Sequence, residues 1–407
     1  MVYTSPFAVV PVSTTSLAEK LLLAIKKHAD AHPTKPALVT AHDPTKSVTF
    51  TELYEQAHSV LAFLRSRGFK QGEVACLVLA SCIEWPAFQL GVHAAGGAIS
   101  AASAHFTDFE LERQFIDSRC SVIFTDDANL EKVTKAANKC DSIKTIICLR
   151  NGSSTSSPLP DNVIDWSDVV ACSPDYAVAK IDVETLAYIP YSSGTTGSPK
   201  GIMLSHRNFG TMIDIIQDHF EREVMAAIAP KDHCWTNETF LLNMPFYQIF
   251  GFAMLCTSLL NGSTAVVLDK FEPVLFLATI QKCRPRMLFI APPLLIFLAK
   301  HPIIAKFDLS SLEFVLSGAA PAGKDICEEF LARHRNVRYL TQGYGMTECG
   351  TVCHLPDLKV AETYAGVGKV AANFEQKIID VVSGAEVAEG ERGEICVRSP
   401  TVMMGYL

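Results

Sequence analysis

The sequence predicts an α/β fold with mostly parallel sheets, on the basis of two observations. Segments with strand-like and helix-like patterns alternate along most of the 407 residues, and such alternation is typical of parallel strands joined by crossover helices. Several strand-like segments, such as VACLVLA at 74–80, are apolar on both faces, which indicates strands buried on both sides. With 49% hydrophobic residues, the chain has enough apolar side chains for a large core.

The first part of the chain is predicted to form a strand, a helix and three further strands. Residues 47–50 are a short strand-like segment, and Thr51 is a candidate cap for a helix that ends at Gly68. The apolar positions of this helix follow the helical period at Leu53, Ala57, Val60, Leu61 and Leu64. The later elements are strands at 74–80, 121–127 and 145–150, with a polar helix at 128–139.

The second part of the chain repeats the alternation after a linker. Residues 151–162, NGSSTSSPLPDN, are small, polar and proline-bearing, which predicts the linker. Beyond it, strands are predicted at 264–271, 286–292 and 314–320, and helices at 274–283 and 321–334. From about residue 360, alternating segments such as GEICVRS predict a small β-rich piece.

Composition and charge argue against several classes of protein. The net charge is −8 and no basic run is present, which argues against a nucleic-acid partner. Most of the 13 cysteines lie in apolar contexts, as expected for buried thiols in a reducing compartment. Cys349 and Cys353 lack the further His or Cys that a zinc site would need.

No signal peptide is evident, and the apolar runs at 249–260 and 287–299 are too short or too broken by proline to span a bilayer. We therefore expect an intracellular protein without a transmembrane segment.

The stretch YSSGTTGSPKG at 191–201 lies between two apolar runs and concentrates hydroxyls, glycines and one cation. Hydroxyls and unhindered backbone N–H groups can surround phosphate oxygens, and Lys200 adds a compact positive charge. The candidate donors are Ser192, Ser193, Gly194, Thr195, Thr196 and Gly197. The spacing differs from G-x-x-x-x-G-K-[ST]. A flexible linker is the alternative, although linkers usually join domains rather than buried strands.

Further motifs follow this stretch in order: PFYQIFGF (245–252), DKFEP (269–273), SGAAP (317–321), QGYGMTE (342–348) and GEICVRSPTVMMGYL (393–407). Together they resemble the motifs of the adenylate-forming (AMP-binding) superfamily, and most closely its acyl-CoA ligase and 4-coumarate–CoA ligase-like branch. The resemblance implies that residues 1–407 form the large N-terminal domain of these enzymes. It implies a first αβ subdomain at 1–163, a second αβ subdomain with the ATP and acyl sites at 164–360, stacked on the first, and an incomplete β-rich subdomain at 361–407.

The resemblance also implies a reaction. An organic acid would attack the α-phosphorus of ATP and expel pyrophosphate, and coenzyme A would then take the acyl group from the acyl-AMP. Such chemistry needs aligned anions and offset charge rather than a protein nucleophile. The implied cofactors are ATP and Mg²⁺ with coenzyme A as acceptor, and the implied partner is a small-molecule carboxylic acid. Whether the acid is fatty or aromatic stays open, as does the oligomeric state.

The nucleotide site is implied by resemblance as well. The loop at 192–200 would hold the β- and γ-phosphates, Thr347 would bind phosphate, and Glu348 would ligate Mg²⁺, a hard cation that favours carboxylate oxygen. Lys200, Thr347 and Glu348 are the implied catalytic residues. The AMP pocket would be formed by Gln342, Gly343, Tyr344, Gly345 and Met346, with Tyr344 stacked on adenine. For Glu348 alone, a solvated surface acid would be the ordinary interpretation.

The implied acyl channel is lined by Gln248, Phe250, Ala319, Ala320, Thr351, Val352 and Leu355. The small side chains of Ala319 and Ala320 leave room for an acyl group, although Pro321 is also suited to the first position of a helix. Lys270 would contact the coenzyme A phosphates, or is an ordinary exposed lysine. His206 receives no catalytic role, because a helix cap at Ser205 or Asn208 explains much of the LSHRN motif. His354 is also left without a role.

Two features depart from the family pattern. Gln248 stands where the family usually carries His, and an amide can donate a hydrogen bond but cannot titrate near neutrality. The chain ends at Leu407, before the family's ribose-binding Thr-Gly-Asp segment and its mobile C-terminal lid, which carries a lysine. We therefore expect impaired turnover by this chain. A peroxisomal signal would also lie beyond Leu407, so a cytoplasmic and a peroxisomal location both stay open.

Two other functions stay open beside that of a carboxylate–CoA ligase. One is a lid-less, catalytically silent protein that binds nucleotide or acyl ligand in regulation or assembly. The other is an adenylating enzyme whose acceptor is not coenzyme A, against which Lys270 and the 4-coumarate-like motifs argue.

Overall fold

The computed structural model describes residues 2–150, 158–192, 199–360 and 362–407. Its strands are β1 (Tyr3–Thr4), β2 (Pro36–Thr40), β3 (Ser47–Thr49), β4 (Val74–Val78), β5 (Ala98–Ala102), β6 (Val122–Asp126), β7 (Thr145–Leu149), β8 (Val163–Asp165), β9 (Leu186–Ser192), β10 (Lys200–Ser205), β11 (Thr239–Leu242), β12 (Thr264–Val267), β13 (Met287–Ile290), β14 (Phe314–Ser317), β15 (Tyr339–Gln342), β16 (His354–Leu355), β17 (Lys369–Val370), β18 (Glu375–Ile379), β19 (Glu394–Arg398) and β20 (Gly405–Tyr406). Its α-helices are α1 (Leu17–Ala31), α2 (Phe50–Ser66), α3 (Trp85–Ala94), α4 (Asp108–Ser118), α5 (Leu130–Ala137), α6 (Trp166–Val170), α7 (His206–His219), α8 (Ala226–Ile228), α9 (Ile249–Asn261), α10 (Pro273–Cys283), α11 (Pro292–Lys300) and α12 (Lys324–Arg333).

The largest sheet has eight strands in the order β20-β10-β9-β5-β4-β6-β7-β8. From β9 to β8 its strands run parallel, and every residue of β4 to β7 is buried, as expected for strands covered by helices on both faces. At the other edge, β10 pairs antiparallel with β9 and with β20. In the chain, β9 precedes and β10 follows residues 193–198, and β10 also pairs with β20 near the last described residue.

A second group of strands positions two of the sequence motifs. The sheet β13-β14-β15 is parallel, and its register sets Ile290 beside Ser317 and Ser317 beside Gln342. Because the carboxyl ends of these strands meet at one edge, the SGAAP and QGYGMTE segments leave the sheet side by side. The carboxyl edge of a parallel sheet is where α/β proteins commonly bind ligands.

The remaining strands form the small sheets β11-β12-β2-β3, β1-β18-β19 and β16-β17. In β1-β18-β19 both strand pairs are antiparallel, and β18 and β19 lie in the region after residue 360 where the sequence predicts a small β-rich piece. The division into subdomains at residues 163 and 360 stays a prediction. Strands on both sides of residue 163 share the largest sheet, and β20 extends that sheet from beyond residue 360.

Local signals explain the helix boundaries and correct two expectations. Helix α2 is capped by Thr49 rather than Thr51. The Thr49 hydroxyl accepts a hydrogen bond from the N–H of Glu52, and the Glu52 carboxylate accepts one from the N–H of Thr49, which is a complete capping box. Pro321 does not begin a helix, since α12 starts at Lys324 after Gly323. The expected cap of α7 is confirmed, with the Ser205 side chain bonded to the N–H of Asn208.

The predicted strands at 264–271, 286–292 and 314–320 run too long at their carboxyl ends. The corresponding strands stop at Val267, Ile290 and Ser317. After Ile290 and Ser317, apolar or small residues continue past the point where the chain leaves the sheet, so composition alone gives no signal for the end. After Val267 the chain continues with Leu268 and then with the charged Asp269 and Lys270. Of the helices that the structure describes, none has the length and apolar character needed to cross a membrane.

Gly91 allows the close packing of α2 against α3. A Cβ on Gly91 would lie 2.4 Å from Cγ1 of Val60 and 2.9 Å from the carbonyl oxygen of Ala57. We expect Gly91→Ala to lower the free energy of unfolding by about 1–2 kcal/mol, because overpacking outweighs the gain in helix propensity. Urea unfolding measures the change. The control is Gly366→Ala, whose Cβ would meet nothing within 4 Å, and equal unfolding midpoints for the two variants would contradict the packing argument.

His219 is buried on α7 without a hydrogen-bond partner among the described residues for either ring nitrogen. Burial lowers the pKa of His219 to about 4. The unfolded chain takes up a proton below about pH 6.5 while the folded chain does not, so stability is full above that pH and falls as the pH approaches 4.

We therefore compare the change in the free energy of unfolding that His219→Leu causes at two pH values. We expect this change to be about 2 kcal/mol more stabilising at pH 5 than at pH 8. The leucine removes the titrating group and breaks no hydrogen bond to a described residue. Urea unfolding at the two pH values checks this, and an equal effect at both would show that His219 does not titrate differently in the folded chain.

Candidate active site

A cavity of about 320 Å³ opens at the carboxyl ends of β9, β14 and β15 and at the start of α9. Its wall consists of Pro190, Tyr191, Ser192, Tyr247, Gln248, Ile249, Phe250, Leu316, Gly318, Ala319, Gly343, Tyr344, Gly345, Met346, Thr347, Thr351 and Val352. None of these side chains carries a formal charge at neutral pH, so a ligand here would be held by backbone groups, hydroxyls, an amide and aromatic or aliphatic surfaces.

The cavity brings together predicted residues from four separate motifs. On its wall are Ser192, Gln248, Phe250, Ala319, Gly343, Tyr344, Gly345, Met346, Thr347, Thr351 and Val352. The roles assigned to these residues stay predictions, but their common position agrees with one site for a nucleotide and an acyl group.

The segment after β15 doubles back on itself, and Gly345 makes this possible. A Cβ on Gly345 would lie 2.0 Å from the carbonyl oxygen of Thr351 and 2.5 Å from Cα of Val352, distances that no other residue tolerates without a backbone shift. The backbone closes the turn through a 2.9 Å hydrogen bond from the N–H of Cys353 to the carbonyl of Tyr344. Thr347 and Val352 consequently line the same cavity.

The segment after β14 leaves the sheet through a strained residue. The N–H of Gly318 donates to the carbonyl of Ile290 at 3.0 Å, and Ala319 then takes a φ of +70°. The left-handed region is unfavourable for a residue with a Cβ by roughly 1–2 kcal/mol. Ala319 is exposed and lies on the cavity wall in a backbone conformation that glycine would adopt more easily.

Hydrogen bonds hold the loop that precedes α9. The Tyr188 hydroxyl donates to the carbonyl of Tyr247 at 2.9 Å, and the N–H of Phe246 donates to the Ser81 hydroxyl at 3.0 Å. Gly251 lets the loop approach the helix, since a Cβ there would lie 2.2 Å from the carbonyl oxygen of Pro245. The Gln248 side chain lines the cavity and forms no hydrogen bond with the described residues, so its amide is available to a ligand.

Aromatic residues form much of the remaining wall. Burial raises the pKa of Tyr344, and its ring lies 5.6 Å from that of His354, centroid to centroid. The Tyr191 hydroxyl donates to a carboxylate oxygen of Asp117 at 2.6 Å, and burial together with this carboxylate raises the pKa of Tyr191. Both phenols therefore stay neutral at physiological pH.

Besides Lys200 and Glu348, four described residues with predicted roles lie off the wall of this cavity. Gln342 is buried, and its side chain bonds to the backbone of Ala322 and Tyr364, which is a structural contact. Leu355 belongs to the hydrophobic core. Ala320 and Lys270 are exposed. Their assigned roles stay predictions, and Ser193, Gly194, Thr195, Thr196 and Gly197 lie outside the described residues.

Lys200 and Glu348 flank the cavity and share one neighbour, Tyr406. The Lys200 ammonium lies 5.1 Å from the centroid of the Tyr406 ring, within the range of a cation–π contact. The Tyr406 hydroxyl donates to Oε1 of Glu348 at 3.0 Å. Tyr406 belongs to the motif at 393–407, but the sequence gives no signal for its role, because the contact depends on the pairing of β20 with β10.

The residues fit the implied ligands in part. The second carboxylate oxygen of Glu348 accepts no hydrogen bond from a described residue, so it can ligate Mg²⁺. Among the described parts of the chain, no three His, Cys, Asp or Glu side chains cluster as a metal site. An ion at Glu348 would therefore need phosphate oxygens and water as its other ligands, as Mg²⁺ commonly does in nucleotide sites.

We expect Ala319→Gly to raise the free energy of unfolding by about 0.5–1 kcal/mol, because relief of the left-handed conformation exceeds the entropy lost by glycine. The matched control is Ala320→Gly, since the φ of Ala320 is not positive. That control should lower stability by up to about 1 kcal/mol. Urea unfolding of both variants is the measurement, and a loss of stability in both would contradict strain at Ala319.

Comparisons with known proteins bear on this site. Residues 25–407 match the family model described as AMP-binding enzyme. A 4-coumarate-CoA ligase 2 from Narcissus pseudonarcissus is 32% identical over 381 residues, which cover 91% of this chain and 65% of the relative. A peroxisomal OPC-8:0-CoA ligase 1 from Arabidopsis thaliana is 31% identical, over 93% of this chain and 67% of the relative. The chain thus spans about two-thirds of the length of these relatives.

A solved structure supports the fold. The luciferase-like enzyme from the nonluminescent Zophobas morio mealworm matches 100% of this chain and 91% of its own, with a TM-score of 0.85 and 21% identity. At this identity the likeness concerns the fold alone. It confirms the predicted α/β fold, that of the large domain of adenylate-forming enzymes.

Proposed function

The chain belongs to the AMP-binding enzyme family, and from that premise we propose that it takes part in the ATP-dependent activation of an organic carboxylic acid to acyl-AMP and then to an acyl-CoA thioester. The single observation that carries the proposal is the cavity itself. It is lined both by the segments that follow β14 and β15 and by Ser192 at the end of β9. Lys200 stands opposite Ser192, and Glu348 directly follows Thr347 of the cavity wall. An ATP-dependent ligase needs an acyl site and a phosphate site that meet in this way.

In the proposed reaction the protein aligns two anions. Tyr344 and the glycines beside it offer a flat surface and exposed backbone for the adenosine moiety. Lys200 and the hydroxyl of Thr347 offset the charge of the phosphates, and Glu348 would hold Mg²⁺, which would supply further charge neutralisation there. The carboxylate attacks the α-phosphorus, the bond to the β-phosphate oxygen breaks, and pyrophosphate leaves.

The acid would enter between the loop before α9 and the segment after β14. Phe250, Val352 and Leu316 form apolar surface that suits a fatty or an aromatic group. The Gln248 amide can donate a hydrogen bond to the carboxylate without titrating near neutrality. The identity of the acid and the contact of coenzyme A with Lys270 stay predictions. A cytoplasmic and a peroxisomal location also stay predictions, and the name of the Arabidopsis relative bears on the peroxisomal one.

We expect Lys200→Ala and Glu348→Gln each to lower pyrophosphate release by about a hundredfold or more, since each removes a group that stabilises charge in the transition state. The assay uses a panel of fatty and aromatic acids with the chain alone and with the chain extended by a lid domain of a relative. Lys282→Ala on the exposed end of α10 is the control.

Each outcome of this assay decides something. Near-normal release by either variant would show that the residue has no role in adenylation. An extended chain that is inert with every acid would contradict the ligase function. Tight ATP binding without pyrophosphate release would favour a nucleotide-binding protein without catalytic activity.

A further inference from the structure

Tyr406 lies between the two charged side chains at the border of the cavity. Its ring faces the Lys200 ammonium at 5.1 Å and its hydroxyl donates to Oε1 of Glu348 at 3.0 Å. No ion pair joins Lys200 to a carboxylate of the described residues, and its ammonium faces the Tyr406 ring instead. Lys200 and Glu348 therefore do not form an ion pair with each other, and Tyr406 contacts both of them.

Backbone pairing and hydrogen bonds hold the segment of Tyr406 in this position. In the pairing of β20 with β10, Tyr406 stands opposite Ile202, and the N–H of Leu407 donates to the carbonyl of Gly201 at 2.8 Å. The N–H of Met403 donates to the carbonyl of Glu348 at 2.8 Å. The same short segment is thus hydrogen-bonded both to the strand that begins with Lys200 and to the turn that carries Glu348.

We propose that Tyr406 is a positioning residue that holds Lys200 and Glu348 apart and oriented for a metal–nucleotide complex. The proposal rests on the function proposed above. The ring keeps the Lys200 ammonium near the cavity for phosphate, and the hydroxyl fixes one oxygen of Glu348 so that the other is directed to the cation. Without the hydroxyl, the carboxylate would have to lose rotational freedom when the cation binds.

The two contacts can be separated by the choice of substitution. Tyr406→Phe keeps the ring and removes only the hydrogen bond to Glu348, while Tyr406→Leu removes both contacts. Tyr406 is 47% exposed, so neither change opens a core cavity. Tyr176→Phe is the matched control, because Tyr176 is 56% exposed and its hydroxyl bonds to none of the described residues.

The readout is the dissociation constant of ATP, measured by calorimetry in EDTA and in excess Mg²⁺, together with the melting temperature. The ratio of the two constants gives the enhancement of ATP binding by Mg²⁺. For Tyr406→Phe we expect this enhancement to fall about fivefold, the effect of one hydrogen bond of ordinary strength, with ATP affinity in EDTA unchanged within about twofold. For Tyr406→Leu, ATP affinity in EDTA should fall as well.

A double-mutant cycle separates positioning from a merely structural effect. If the hydroxyl acts through Glu348, then Tyr406→Phe should change nothing further in a Glu348→Ala background. Lys200→Met should lower ATP affinity equally in EDTA and in Mg²⁺ and leave the enhancement intact. This variant retains Tyr406, so it tests the separation of roles even if the Tyr406 variants melt early.

Several results would overturn the proposal. Wild-type enhancement in Tyr406→Phe, additive effects in the double variant, or a lost enhancement in Lys200→Met would each show that Tyr406 does not position Glu348. A wild-type chain that binds no ATP in either condition would overturn the proposed function and this role with it. ATP binding by the wild-type chain with no effect of Tyr406→Phe would overturn this role alone.

Discussion

The parallel register of β13, β14 and β15 is the constraint on which the cavity depends. Because Ser317 stands beside both Ile290 and Gln342, the segments that follow β14 and β15 leave the sheet at the same edge and in the same layer. A shift of one residue in either pairing would turn alternate side chains to the other face. The turn at Gly345 and the left-handed Ala319 then direct these segments over the sheet edge, where their small residues leave space rather than fill it.

The largest sheet supplies the other half of the site. Strand β9 carries Ser192 to the cavity that Tyr344 also lines, and β10 begins with Lys200, which stands opposite Ser192. The addition of β20 to the same edge ties the last described segment to β10 and to the turn at Glu348. Pairing between strands that are distant in sequence thus positions the charged side chains of Lys200 and Glu348, while the cavity wall itself carries no charged side chain.

Much of the fold could be predicted from the sequence because its signals are local. Buried parallel strands appear as short apolar runs, and the Ser205 cap is visible in its motif. The cap of α2 lies two residues before the predicted Thr51, and the sequence does carry the distinguishing signal, since Glu52 stands three residues after Thr49 as a capping box requires. Many of the residues that the motifs assign to the nucleotide and acyl sites line the same cavity, and their roles stay predictions. The motifs could not show that Gln342 bonds to the backbone of Ala322 and Tyr364, nor that Tyr406 lies between Lys200 and Glu348, because both facts depend on contacts between distant segments.

The central claim is that one cavity at the ends of β14 and β15 binds the nucleotide. Amide hydrogen exchange with and without ATP and Mg²⁺ tests it most directly, because protection by a ligand reports which backbone segments it covers. The account predicts slower exchange in residues 316–319 and 343–352 and at Tyr191 and Ser192, with little change around the separate polar cavity lined by His233 and Arg286. ATP-dependent protection confined to that second cavity, or spread elsewhere without the segments after β14 and β15, would contradict the account.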